Sequence, residues 1–203
     1  MGTSTGGTLA LQLAAAYPDI AGLVLLSPNI AINDPNAWLA NNPWGLQIAR
    51  LVKGSDYQIT SDQRDIYKAH WYSKYRLEAI VNLQEYLETA MVPETFSKVK
   101  QPTLMLYYYK DEQHQDNVVK VSAMLDMMNK IKTPDSLKRA VAMPKTGDHV
   151  IASSITSEDW QGVMFSTIDF LENVAKVPAR VAFQERVEEM AKANELLKEI
   201  QKD

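Results

Sequence analysis

Two kinds of apolar run alternate along this chain. Ala21 to Leu26 reads AGLVLL and Thr103 to Tyr109 reads TLMLYYY, continuous apolar stretches closed by turn residues. Runs of that length without polar alternation fit strands covered on both faces of a parallel sheet. A third, shorter run, KRAVAM from Lys138 to Met143, has the same character. Between them the spacing changes to helical. Thr8 to Tyr17 (TLALQLAAAY) is rich in Leu and Ala and has no breaker until Pro18. Val118, Val121, Met124, Leu125 and Met128 recur at helical intervals in Asn117 to Ile131, as do Val163, Phe165, Ile168 and Leu171 in Trp160 to Val174. Strands alternating with helices predict an α/β fold with a parallel sheet.

The stretch from about Pro28 to Lys98 breaks that rhythm. It carries Pro28, Pro35, Pro43 and Pro93 and only short apolar patterns, such as Leu77, Ile80, Val81 and Leu87. The pattern predicts a helical insertion packed over the sheet, without strands of its own. Residues 1–177 then form the main body, and 178–203 a helical tail. Phe183, Val187, Met190 and Leu197 give that tail one apolar stripe. Such a stripe is most often a packing surface, suited to docking on the body or on a second copy of the chain.

Composition narrows the chemistry. The 203 residues hold 21 basic and 25 acidic side chains, a net charge of -4. That leaves no general attraction to nucleic acid. Cysteine is absent, which excludes thiolate catalysis and disulfides and fits a reducing, cytoplasmic setting. No apolar run approaches the ~20 residues of a membrane span.

The candidate chemistry lies at strand ends. Gly2-Thr3-Ser4-Thr5-Gly6 fits G-x-S-x-G, with Gly7 next and a helix directly after. In a nucleophile elbow the serine sits on a strained strand-to-helix turn, and the glycines relieve close packing. A flexible glycine and serine terminus is the other reading. A phosphate loop is disfavoured, since no Lys follows the glycines. The strand TLMLYYY leads into Lys110-Asp111-Glu112-Gln113-His114-Gln115-Asp116, and KRAVAM leads into Gly147-Asp148-His149. All three segments fall at C-terminal strand ends, where open α/β sheets place their sites. Asp148 reads as a loop carboxylate. His70 and His114 have no motif around them.

With GTSTGG, the D-x-V-V after a strand and the G-x-H after the last strand, residues 1 to 174 resemble the α/β-hydrolase superfamily, of the lidded esterase and lipase type. The resemblance implies Ser4 as nucleophile, Asp116 as acid, His149 as base and the Thr5 backbone N–H as one oxyanion donor. Asp111 is the competing acid, closer to the strand end. It also implies that the 28–98 insertion is a lid, that the substrate is a small acyl compound, and that no cofactor or metal takes part. Peptidase or thioesterase chemistry on the same fold stays open, as does a non-catalytic remnant or interaction module. Trp38, Trp44, Tyr57, Trp71, Tyr72 and Tyr75 suit either an acyl pocket or packing within the lid. Only Met1 precedes the motif. The expectation is therefore three strands, no strand feeding the elbow, no second oxyanion donor, and weak or no turnover by this chain alone.

Overall fold

A computed structural model describes residues 1–178, 189, 190 and 192. The tail stripe of Phe183, Val187 and Leu197 lies outside the described residues. The elements run in chain order β1 (Gly2–Thr3), α1 (Thr5–Ala16), β2 (Leu23–Leu26), α2 (Gly45–Lys53), β3 (Tyr57–Ile59), α3 (Asp65–Lys68), β4 (Lys74–Arg76), α4 (Leu77–Ala90), α5 (Pro93–Phe96), β5 (Thr103–Tyr107), β6 (Tyr109–Asp111), β7 (His114–Gln115), α6 (Val121–Lys130), β8 (Lys138–Ala142) and α7 (Trp160–Asn173).

The main sheet has the order β1-β2-β5-β8, and every neighbouring pair is parallel. β2 and β5 occupy the middle and are buried along their whole length, which is why their sequences carry no polar alternation. Their side chains divide between two cores. Leu23, Leu25 and Met105 pack with Leu11 and Ala14 of α1, Phe96 of α5, and Met124, Met127 and Met128 of α6. Val24, Leu26, Leu104 and Leu106 pack with Val163 and Phe170 of α7 and with Ile151. β8 is an edge strand and carries Lys138 and Arg139. Charged side chains discourage further pairing at such an edge, and Arg139 is tied to Asp169 of α7 at 2.8 Å.

Three expectations are corrected. The sheet has a fourth strand, because Gly2 and Thr3 pair in register with Leu25 and Leu26. Two residues carry no periodicity to read, so only the tertiary pairing reveals β1. The 28–98 insertion carries helices α2 to α5 but also contains an antiparallel ribbon of β3 and β4. Its strands are largely exposed, so they lack the apolar signature of a core strand. The run TLMLYYY does not continue as one strand to Tyr109. β5 ends at Tyr107, and Tyr109 to Gln115 fold into the hairpin β6-β7.

The aromatic side chains of the insertion divide between exposure and packing within the insertion. Trp38, Trp44 and Tyr72 are exposed at 57%, 73% and 92%. Trp71 stacks on Tyr67 with ring centroids 4.9 Å apart. An apolar cleft in this region is lined instead by aliphatic side chains, among them Leu39, Ile48, Val52, Leu77 and Ile80. No helix among the described residues is long and apolar enough to cross a membrane.

Candidate active site

In a parallel sheet all strands end on the same side, so the segments after β1, β2, β5 and β8 meet along one edge. Ser4 lies between β1 and α1 with φ 52° and ψ −124°. A positive φ on a residue with a side chain is strained, at roughly 1–3 kcal/mol, and persists only where its surroundings fix it. The pairing of β1 with β2 holds the residues just before Ser4, and the segment after β2 holds Ser4 itself. The Ser4 N–H donates to the Leu26 carbonyl at 3.0 Å, and the Ser4 carbonyl accepts from the Asn29 N–H at 3.0 Å. The Thr8 hydroxyl, itself buried, donates to the Asn29 carbonyl.

The glycines of the motif are not equivalent. A Cβ on Gly2 would run into the Gly6 carbonyl, and one on Gly7 would stand 2.7 Å from Pro28 Cβ. A Cβ on Gly6 would meet nothing within 4 Å. The steric reading of the motif therefore holds for Gly2 and Gly7 and fails for Gly6. Gly6 is in the first turn of α1, and Ala is favoured over Gly in a helix by up to about 1 kcal/mol. Gly6→Ala is accordingly expected to leave activity within about two-fold and to raise the thermal midpoint in a calorimetric scan.

Thr5 opens α1, and the first turn of that helix holds no acidic residue. The Gly7 N–H donates to the Ser4 carbonyl at 2.9 Å, which leaves the N–H groups of Thr5 and Gly6 without an intrahelical acceptor, at the positive end of the helix dipole beside Ser4.

Asp116 follows the β6-β7 hairpin. Its side chain is fully buried. Oδ1 accepts from the N–H groups of Val118 at 2.9 Å and Val119 at 3.1 Å. Oδ2 lies 2.7 Å from His149 Nδ1. The loop after β8 presents that imidazole. Thr146 ties back to the Met143 carbonyl at 2.8 Å, Gly147 turns the chain at φ 70°, and the Asp148 carboxylate accepts from the Val150 N–H at 2.7 Å. Asp148 thus shapes the turn and does not face the imidazole.

A carboxylate only accepts hydrogen bonds, so Nδ1 carries the proton and Nε2 presents its lone pair. His149 Nε2 is buried and has no hydrogen-bond partner among the described residues. The structure therefore joins Asp116 to His149 and makes no hydrogen bond from Ser4 to Nε2. Contacts between a nucleophile and its base are often longer before substrate binds.

Asp111 is directed elsewhere. It is exposed, and its carboxylate lies 2.7 Å from His114 Nδ1. That contact, with backbone N–H groups of Gln113 and His114, holds the Asp111 carboxyl below its usual range. His70 is exposed, with Nδ1 at 2.9 Å from the Ile66 carbonyl. Sequence reasoning missed Thr8, Ser27, Asn29 and Asn33, which fasten the site. One signal was available, since Ser27-Pro28-Asn29 sits directly after β2 at the active end of the sheet.

No family model and no curated protein matches the sequence. Solved structures do. A structure from the study of LipS and LipT, two metagenome-derived lipolytic enzymes, superposes with a TM-score of 0.63 at 19% identity, covering 84% of this chain and 63% of that one. The monoacylglycerol lipase of Paleococcus ferrophilus gives 0.58 at 16% identity, covering 86% and 66%. A soluble variant of the monoglyceride lipase of Saccharomyces cerevisiae gives 0.57 at 13% identity, covering 84% and 60%. The chain thus spans 60–66% of the length of these three structures.

Proposed function

We propose, for a chain with the α/β-hydrolase fold, that it belongs to a serine hydrolase of carboxylic esters. Ser4 is the nucleophile, His149 the base and Asp116 the acid. The observation that carries this reading is the buried contact of Asp116 with His149 Nδ1, at the sheet edge that also holds Ser4 in an elbow conformation.

The chemistry follows from what the groups can do. A serine hydroxyl is a weak nucleophile until a base takes its proton. His149 Nε2 takes that proton as Ser4 Oγ adds to the ester carbonyl, and Asp116 steadies the imidazolium that results. The carbonyl oxygen becomes an oxyanion and accepts from the Thr5 N–H at the start of α1. The imidazolium then returns its proton to the departing alcohol, leaving an acyl group on Ser4. Water, deprotonated by the same imidazole, releases the acid.

Ester specificity is supported by the structural neighbours, which include lipolytic enzymes and monoglyceride lipases. The aliphatic cleft in the insertion is the right kind of surface for an acyl chain, and the insertion is the segment assigned the role of lid. Hydrolysis of p-nitrophenyl acetate by the purified chain tests the reading. The expected result is turnover that disappears in Ser4→Ala. Turnover equal in the wild type and Ser4→Ala would overturn it.

A further inference from the structure

The segment that leaves β2 and opens the insertion touches both ends of the proposed catalytic array. At its start, Leu26 and Asn29 bracket Ser4 with two backbone hydrogen bonds of 3.0 Å. Ser27 makes the bend between them. It is fully buried with φ 42°, and its N–H donates to the Leu106 carbonyl at 2.8 Å. A second strained, side-chain-bearing residue next to the first marks a segment whose path is imposed by what it must reach.

Four residues further on, the same segment fastens the acid loop. Asn33 N–H donates to the Val118 carbonyl at 2.9 Å, and Lys120 N–H donates to the Ala31 carbonyl at 2.9 Å. Ile32 and Val119 form an antiparallel bridge. The Asn33 side-chain amide donates to the Asp116 carbonyl at 3.3 Å. Elsewhere the segment borders an open cleft of 260 Å³, lined by Ile30, Ile32, Trp38, Leu87 and Met91 among others. Leu26 to Ile30 are buried, whereas Ala31 to Asn33 are not, so hydrogen bonds carry more of the placement at the Asn33 end.

We infer that residues 26–33 are a strap that sets the nucleophile and the acid at a fixed separation, and that Asn33 is a positioning residue for Asp116. The inference rests on the triad reading above. The loop after β8 presents His149 and the Nδ1 contact ties it to Asp116, so the strap sets one of the two supports that place Nε2 relative to Ser4. The strap is also the root of the insertion, which continues from Asp34.

Two variants isolate the side chain. Asn33→Asp keeps the shape and removes the amide donor, and Asn33→Ala removes both. Asn33 is exposed, so neither change disturbs the core. A misplacement of about 1 Å can cost about 10²-fold in rate, and a partial displacement predicts a fall of roughly ten-fold in kcat with KM within two-fold. Asn129→Ala, on the exposed face of α6 and away from the strap and the cleft, should match the wild type. The second readout is the low-field proton resonance of His149 Nδ1, which needs no turnover. It should be present in the wild type and shifted or lost in Asn33→Asp. Unchanged kcat together with an unchanged resonance in both variants would overturn the strap. A wild type without Ser4-dependent turnover would overturn the triad reading instead, and the resonance alone would then decide the strap.

Discussion

Asp116→Asn is expected to lower kcat for an ester substrate by about 10⁴-fold, because an amide facing Nδ1 favours the wrong imidazole tautomer and cannot steady the imidazolium. The same change at Asp111 should leave kcat within two-fold, since that exposed carboxylate meets the His114 ring and the hairpin N–H groups of Gln113 and His114, not His149. Steady-state kinetics of the two variants side by side make the comparison. The Asp116 variant should remain folded, because Asn keeps one oxygen for the N–H groups of Val118 and Val119. Asp116→Ala removes that acceptor too. Leaving buried donors unpaired costs roughly 1–3 kcal/mol each, so this variant should lose stability as well as activity.

The second large effect is expected at Gly7. An added methyl group would stand 2.7 Å from Pro28 Cβ and 3.0 Å from its Cα. Neither atom belongs to a flexible side chain, so α1 and the strap must separate. Overpacking of this kind costs about 1–3 kcal/mol. The activity cost is larger than the stability cost suggests, because the displaced elements are the two that fix Ser4. Gly7→Ala is expected to reduce kcat at least about 10²-fold while the protein still unfolds cooperatively in urea. Read beside Gly6→Ala, it separates steric need from the mere presence of glycine in the motif.

How much of this is legible in the sequence depends on where the information sits. β2 and β5 are legible because both their faces are buried, which forces continuous apolar runs. β1 is not, because two residues have no period and owe their conformation to Leu25 and Leu26 across the sheet. The ribbon of β3 and β4 is silent for the opposite reason, since exposed strands need no apolar alternation. At the site, Ser4 and His149 stand out through their glycine neighbours. Of the two loop carboxylates, Asp116 carries the D-x-V-V sequence and Asp111 lies closer to the strand end, so local features favour Asp116 and leave Asp111 in contention. The hairpin β6-β7 separates them, turning Asp111 toward His114 and delivering Asp116 to a buried position. Asn33 leaves no trace in the sequence, because its role comes from a bridge between segments 83 residues apart.

The account turns on Ser4 being a nucleophile activated by His149. Incubating the chain with a fluorophosphonate, then locating the adduct by peptide mass spectrometry, reads that property directly. The predicted result is a phosphonylated Ser4, absent in Ser4→Ala and formed far more slowly in His149→Ala. A folded chain that takes no label, or takes it at the same rate without His149, would contradict the account.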